Sequence, residues 1–556
     1  MPAKRGSGTR NRIDPARLAI FDSLVSSAAE EMGATLRHTA LSPNIKERQD
    51  YSCAAFDAEG QLLAQAAHIP VHLGAMPESV RAVADLAPWS PGDLAILNDP
   101  FLGGTHLPDV TMVSPVFAKP GRGKPWLIGF VGSRAHQADI GGMAAGSMPV
   151  ASELIQEGLI IPPIRLYRAG HLVAETLALI LRNTRTPDER RGDLEAQVAA
   201  QRVGERRLRE LALRLGRREF EQSSAALLDY GERLTRATIE SLPEGVYRFE
   251  DALDDDGYRD EPVRIVVQLT IGKRSLHLDF TGSAPQRAAS INAVAAVTRS
   301  ASYYVLRCLL PREAPTNSGL FRPVSFTLPE GSVVNARPPV AVAAGNVETS
   351  QRITDVVWGA MSQALPERMP AASSGTMNNL TAGGIDPRTD TPWAYYETSG
   401  GGLGGGPLGP GLDATHSHMT NTLNTPAEAL ELAYPLRVLE NSVREGSGGR
   451  GRYSGGDGLV RRTEFLAEAT VTLITERRRG RAWGLKGGEA GESGRNSLET
   501  ASGRVRLPGK VVFQVQPGDV VCLETPGAGG WGRPRRPRAS RGKPPTRKPS
   551  SRKRTR

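Results

Sequence analysis

"DVTMVSPVFAKPGRGKPWLIGFVGSRAHQAD", residues 109–139, sets two apolar runs on either side of a turn. Residues 110–117 and 126–131 are rich in Val, Phe, Ile and Trp and read as strands. The segment between them, "AKPGRGKP", is basic and made of turn formers. Strands joined so closely pair antiparallel, and a hairpin brings its two outer ends side by side. Pairing Phe117 with Trp126 sets Asp109 across from Arg134 and Leu107 across from His136. A slip of a residue or two changes those partners without separating the ends.

The outer ends carry the chemistry. "GGTHLPD" (103–109) supplies His106 and Asp109 before the first strand, and "SRAHQAD" (133–139) supplies His136 and Asp139 after the second. Two His-x-x-Asp motifs therefore converge. Imidazole and carboxylate together suit Mn, Fe or Zn, and the lack of nearby thiols argues against a structural zinc. Pro108 biases Leu107 away from helix, and Gly103 and Gly104 free the loop to bend. Taken singly, each motif is more simply an ordinary polar turn; it is the two at one end of one hairpin that give the metal reading equal weight.

Outward from the hairpin, "YSCAAFDAEGQLLAQ" predicts a second hairpin around Asp57–Gly60, "GDLAILNDP" a buried strand, and Pro77 the start of a short helix. Asp14 and Pro15 predict the start of a helix through Met32, its apolar residues at helical spacing. "TPDE" (186–189) has the form of a capping box, with Thr186 as cap and Glu189 answering it. Residues 194–242 then read as two long charged helices broken near Leu215–Gly216, their Arg/Glu pairs forming a solvated face. "PVRIVVQLTI" and "SLHLDF" predict a hairpin across "GKR". Helices are expected near 292–310 and 347–365, and short strands over 461–524. "SGGGLGGGPLGPG" (399–411) is expected to be the most flexible stretch before the C-terminal tail. No internal repeat is visible.

With 556 residues, 61 Gly and 41 Pro, a loop- and Gly-rich multi-domain chain of mixed α/β (α+β) class is expected, with β-hairpins around a central site and a β-rich C-terminal region. The expected divisions are a disordered basic N-terminus (1–15), an α/β region with the candidate metal site (16–185), a long helical region (186–243), a central α/β region (244–460), a β-rich region (461–531) and a disordered basic tail (532–556). The net charge of +10 belongs to the tail: residues 533–556 hold twelve Lys/Arg and no Asp/Glu, which leaves about −2 for the rest. The tail has no interleaved aromatics, so nothing beyond non-specific contact with nucleic acid or acidic surfaces is expected of it. Cys53, Cys308 and Cys522 are too far apart for a CxxC pair, which favours a reducing compartment. No apolar stretch is long enough for a membrane span and no signal peptide is visible, so a cytoplasmic location is expected.

Other polar residues have two readings. "HIPVH" puts Pro70 between His68 and His72, which breaks zincin geometry and leaves polar or ligand-supporting roles. "THSHM" sets His416 and His418 on one face if extended. "IKERQDYS" offers Glu47 and Asp50, either of which could serve as a general base or simply as an ion-pair partner. No phosphate loop of the GxxxxGK[ST] type and no GxSxG elbow is present, and "GGLGGGPLG" lacks the strand–helix setting of a dinucleotide fingerprint.

The chain resembles the hydantoinase B/oxoprolinase family. The resemblance is carried by "SPNIKERQDYSCAAFDAEGQLLAQ", "HIPVHLGAMPESV", "GDLAILNDPFLGGTHLPDVTMVSPVF", "SRAHQADIGGMAAGSMP", "EGLIIPPIRLY", "DFTGSAPQ", "GNVETSQRITDVV", "HSHMTNTLNTPAEALE" and "PGDVVCLETPGAGGWG". It runs from about Ala16 to Trp531 and omits the tail. It implies a B-type subunit of an ATP-dependent hydantoinase or oxoprolinase that hydrolyses a small cyclic amide. The alternatives are a subunit of an acetone- or acetophenone-type carboxylase, or a non-catalytic scaffold. It further implies a hydantoinase A-type ATPase partner that handles ATP and Mg, in keeping with the missing phosphate loop. A divalent metal (Mn, Zn or Fe) would fall on His106, Asp109 and His136, with Asp139, His72 or Asp50 orienting ligands or moving protons.

Overall fold

The computed structural model describes residues 14–66 and 69–534. The expectations for residues 1–13, for His68 and for the tail from 535 fall outside them. The helix expected after Asp14 is α1 (Pro15–Thr39), with the Asp14 carboxylate accepting from Ala16 N at 3.3 Å. Asp14 and Pro15 thus belong to this helix and not to a disordered tail. A four-residue α2 (Pro43–Lys46) follows.

The hairpin lies at the centre of a seven-stranded sheet. Its strands are β1 (Tyr51–Asp57), β2 (Leu62–Gln65), β3 (Leu94–Leu97), β4 (Asp109–Ala118), β5 (Trp126–His136), β6 (Ile164–Arg168) and β7 (His171–Leu172). They run in the order β2-β1-β5-β4-β3-β6-β7, every neighbour antiparallel. β4 and β5 are buried on both faces, which is why they read as continuous apolar runs. One face is covered by α3 (Met76–Val83). The other is covered by α1 and, after α4 (Ala174–Arg182), by α5 (Pro187–Leu215) and α6 (Arg217–Glu240). The register differs from the expected one by two. Asp109 faces His136 and Thr111 faces Arg134, because the turn opens one residue wider and a bulge between Val116 and Phe117 adds another. A shift of two keeps each side chain on its face.

Two expectations for the long helices fail. Thr186 makes no side-chain cap, and Glu189 accepts instead from Arg190 Nη2 at 2.9 Å. Arg190 is fully buried and gathers both Glu189 and Asp193, so the acidic residue answers a buried guanidinium rather than the helix end. The charged surface is also only half solvated. Arg207–Glu31 and Arg217–Glu221 lie outside, but Arg190, Asp193, Gln197, Gln201 and Glu205 turn toward the sheet. Gln197 and Gln201 donate to the carbonyls of Val110 and Met112, at 3.1 and 2.8 Å. The break between the helices is Gly216, at φ 78°, as expected.

A second sheet holds β8 (Gly245–Leu253), β9 (Val263–Ile271), β10 (Leu276–Asp279) and β11 (Val324–Thr327); β9 and β10 form the expected hairpin, Ile271 facing Leu276. Against it pack α7 (Ala295–Leu309) and α8 (Ser350–Ala364), the latter entered through a wide π-turn at Gly345–Thr349. Two further sheets face each other across one core. One is β13-β12-β16-β19, from β12 (Asn379–Asp386), β13 (Thr391–Glu397), β16 (Ala469–Ile474) and β19 (Lys510–Val515). The other is β14-β15-β20-β17-β18, from β14 (Leu436–Arg444), which follows α9 (Ala427–Ala433), with β15 (Gly458–Phe465), β17 (Arg495–Thr500), β18 (Gly503–Leu507) and β20 (Val520–Glu524). β12 pairs with β16, so the sheets do not divide at residue 460.

The glycine-dense stretch is packed, not flexible. A Cβ on Gly402 would lie 2.0 Å from the carbonyl oxygen of Gly456, and one on Gly404 1.9 Å from that of Ala371. These glycines let backbone lie on backbone. The fold is thus mixed α/β and multi-domain, and no helix among the described residues is long and apolar enough to cross a membrane.

Candidate functional site

The register brings Asp109 directly opposite His136 at one end of the β4–β5 hairpin. The loop before β4 is a tight turn in which Asp109 N donates to His106 O at 3.1 Å, the turn Pro108 favours over a helix. Gly103 takes φ 94°, and a Cβ on Gly104 would lie 2.5 Å from the carbonyl of Asn98. Asn98 clamps the loop, donating to Leu107 O at 2.8 Å and accepting from Ile161 N at 2.6 Å. Arg134, one pair along the same face as His136, donates to Thr111 Oγ1 (2.8 Å), Ser79 Oγ (2.7 Å) and Gly103 O (3.1 Å). The loop is held at both ends.

His106, Asp109 and His136 each offer one ligand atom, all within 4.8 Å of one another, and all three are buried. The two imidazoles meet edge to face, centroids 5.1 Å apart. Asp109 Oδ2 is surrounded: it accepts from Thr105 Oγ1 at 2.5 Å and lies 3.3 Å from His72 Nε2, 3.4 Å from His106 Nε2 and 3.4 Å from Asn346 Nδ2. Asp109 Oδ1, both nitrogens of His106 and Nε2 of His136 make no hydrogen bond among the described residues. Buried polar atoms are almost always satisfied, so ligand atoms converging one from each of three residues, with unsatisfied atoms on all three, are suited to a cation. Burial alone would raise the Asp109 carboxyl, but the charges of His106 and His72 outweigh it and hold it well below the usual carboxylate range. Burial, reinforced by His106, pushes the His136 ring well below the ordinary imidazole range.

A wall of residues distant in sequence encloses the cluster. Tyr396 stacks on His136 at 4.4 Å and 8°, and the guanidinium of Arg48 lies 4.8 Å from the Tyr396 ring centroid. Asn44, on α2, stands 3.4 Å from His136 Nδ1. The cavity between Asp50, His72, Asp109, His136, Asn346 and Tyr396 has about 20 Å³ of free space, room for about one water or ion.

The other sequence candidates sort by place. Asp50 lines this cavity, and burial pushes its carboxyl up against the pull of Arg48 at 3.7 Å. His72 lines it too, its Nδ1 bonded to Ser52 Oγ at 2.9 Å. Asp139 does not line it: its carboxylate takes Arg185 Nη1 at 2.8 Å and the amides of Gly141 and Arg185. Glu47 is also outside the lining. His418 sits at φ 55°, 3.7 Å from Asp355, so "THSHM" is not extended and its two histidines do not share the cluster. Sequence reasoning missed Asn346, Arg48 and Tyr396. The stretches holding Arg48 and Asn346 carried family resemblance, yet nothing local marked those side chains.

Comparisons with known proteins agree with one another. The model of the family hydantoinase B/oxoprolinase matches residues 14–534. 5-Oxoprolinase 1 of Arabidopsis thaliana is 38% identical over 94% of this chain, which spans 42% of that longer protein. The B component proposed for a D-/L-hydantoinase of Pseudomonas sp. is 30% identical over 94% of this chain and 90% of its own length. Among solved structures, the ATP-dependent caprolactamase of Pseudomonas jessenii superposes with a TM-score of 0.87 at 29% identity, over 94% of this chain and 92% of that one. An ATP-dependent acetone carboxylase shares the fold, with a TM-score of 0.86 at 20% identity over 94% of this chain and 76% of that one.

Proposed function

The chain belongs to the hydantoinase B/oxoprolinase family, and from that premise we propose that it is the B-type subunit of an ATP-dependent hydrolase that opens a small cyclic amide. The observation that carries this reading is the buried trio of His106, Asp109 and His136 with its unpartnered ligand atoms. Two nitrogens and a carboxylate oxygen fit Mn, Fe or Zn, and such an ion supplies Lewis acidity and an acidified water.

The chain's own residues do the rest. Thr105 and His72 fix Asp109 through Oδ2 and leave Oδ1 without a hydrogen bond among the described residues. Tyr396 and Arg48 hold the His136 ring in plane. Asp50, in the cavity wall with its carboxyl pushed up by burial, takes and returns the proton that ring opening moves from water to the leaving nitrogen. Asp139 acts at one remove, anchoring through Arg185 the segment that leaves β5. The sequence has no phosphate loop, so activation of the amide by ATP and Mg is assigned to an A-type ATPase partner.

The test is a co-purified pair of this chain and its ATPase partner, assayed with hydantoin, 5-oxoproline and caprolactam, with and without ATP. ATP-dependent ring opening is expected. Consumption of a ketone with bicarbonate instead would make the protein a carboxylase subunit. Bound Mn, Fe and Zn are then measured in wild type and in His106→Ala; equal metal content in the two would sink the ligand set.

A further inference from the structure

The buried centre is too small for its task. Its free space is about 20 Å³, where about 10–15 Å³ suffices for one water and small-molecule sites run to about 300 Å³ and more. Some part of the wall has to move. On the outer side of that wall lies a cleft of about 590 Å³, within the size range of small-molecule sites.

The two spaces share one short segment. Ile69, Val71 and His72 line the buried centre, and Leu73 and Gly74, next in the chain, line the outer cleft. Each side is fastened by a serine hydroxyl. Ser52 Oγ bonds His72 Nδ1 at 2.9 Å and accepts from Ile69 N at 3.4 Å; Ser300 Oγ, on α7, accepts from Gly74 N at 2.9 Å. A Cβ on Gly74 would lie 3.0 Å from Ser300 and 3.1 Å from Tyr303, so the glycine is what lets the segment seat against α7.

The cleft has the chemistry of an amide site. Leu73 and Phe321 give it an apolar wall, with Phe321 stacked on Tyr303 at 3.9 Å. Three polar side chains in its lining have no hydrogen bond or ion pair among the described residues: the guanidinium of Arg81, the carboxylate of Glu59 and the hydroxyl of Tyr303. A cyclic amide presents an apolar ring, a carbonyl acceptor and an N–H donor. The guanidinium and phenol suit the first polar group, and the carboxylate suits the second.

We propose that this outer cleft receives the cyclic amide before its activation and that the segment Ile69–Gly74 is the door through which the activated amide passes to the buried centre. The proposal rests on reading that centre as the place of ring opening, and two measurements separate it from that reading. The first is equilibrium dialysis of labelled hydantoin, 5-oxoproline and caprolactam against the full-length protein. Binding of at least one is expected, weakened roughly tenfold in Arg81→Ala and in Tyr303→Phe, about the loss of one hydrogen bond to a charged or polar group. Cleft-dependent binding without ATP-dependent ring opening would keep the cleft and refute the functional reading. No binding of any of the three, or binding unchanged in both variants, overturns the cleft. The second is hydrogen exchange read by mass spectrometry over Ile69–Gly74. Exchange severalfold faster than in β1, and faster still in Ser300→Ala, is expected of a door. Protection equal to that of β1 in both proteins overturns it.

Discussion

Asp109 shows how much of this protein depends on single atoms. One carboxylate oxygen is crowded by Thr105, His72, His106 and Asn346, and the other has no partner among the described residues. The crowding is what aims the free oxygen, so His72 should matter without being a ligand. His72→Ala is expected to weaken divalent-metal affinity by roughly 10–100-fold, the usual cost of losing a ligand's support, while His106→Ala removes stoichiometric binding. Competition dialysis against a chelator measures both; a His72→Ala affinity equal to wild type would reduce His72 to packing. A different buried carboxyl sets a pH dependence. Glu157 is fully buried, and burial pushes it up to about 8 in spite of amide donors from Val342 and Ala343. In the unfolded chain it ionises near its ordinary value, so the folded state holds one extra proton from about pH 4.5 to 8. Stability is therefore full below that window and falls through it as pH rises, by roughly 1.4 kcal/mol per pH unit from this group. Urea midpoints at pH 5, 6, 7 and 8 should fall in wild type and fall less steeply in Glu157→Gln; parallel curves would show that Glu157 is ionised throughout. The residues a sequence reveals here are those that chain geometry brings together. His106, Asp109 and His136 follow from one hairpin, whereas Asn346 reaches Asp109 across 237 positions and Tyr396 reaches Arg48 across 348, distances over which no local pattern speaks.

Glycine is the clearest case at the scale of elements, where the same composition has two opposite meanings. Along 399–411 the run reads as slack chain, yet Gly402 and Gly404 lie against the carbonyls of Gly456 and Ala371 while Gly409 has open space around it. Alanine at Gly404 must push backbone apart and is expected to cost at least about 2 kcal/mol, in the range of overpacked cores. Alanine at Gly409 should stay within about 0.5 kcal/mol of wild type, as surface changes do. Urea unfolding of the two variants decides; equal, small effects would restore the flexible reading. Elements whose signal is local periodicity were legible: α1 from Asp14, the hairpins around residues 57–60, 118–125 and 272–275, and the helix break at Gly216. What defeated sequence reading was tertiary demand. The capping form at Thr186 gave way because buried Arg190 takes Glu189, and the β4–β5 register moved by two because neither the wider turn nor the bulge leaves a visible mark in the sequence.

The whole molecule closes around the central helix α8, and the way it does so makes the last prediction. Every residue of α8 from Ser350 to Ser362 is buried, although it carries Arg352 and Asp355. Arg352 reaches Asp251 on β8 at 3.1 Å and Glu476, just past β16, at 3.4 Å; Arg477 ties the same Asp251 at 2.7 Å to Asp355 at 2.9 Å. Lys510 on β19 completes the set against Glu476 at 2.5 Å. One buried ionic seam thus joins the second sheet, α8 and the C-terminal sandwich. The sandwich contributes Tyr396 and Thr398 to the wall of the cavity beside His136, so the seam also sets how firmly that wall meets the β4–β5 hairpin. Charged pairs out of water are a poor source of net stability, but removing one partner strands the others. Arg352→Met keeps the volume, takes from Glu476 one of its two ion-pair partners, and is expected to lose about 3–5 kcal/mol, as broken buried pairs do. It should also raise the rate at which a chelator strips the metal, because the loosened wall admits water beside His136. Urea unfolding and EDTA extraction read the two effects on one preparation. A variant that loses stability and keeps its metal as tightly as wild type would mean that the seam holds the units together without holding the site, and that Tyr396 is kept on His136 by Arg48, Asn379 and the β12–β13 ladder.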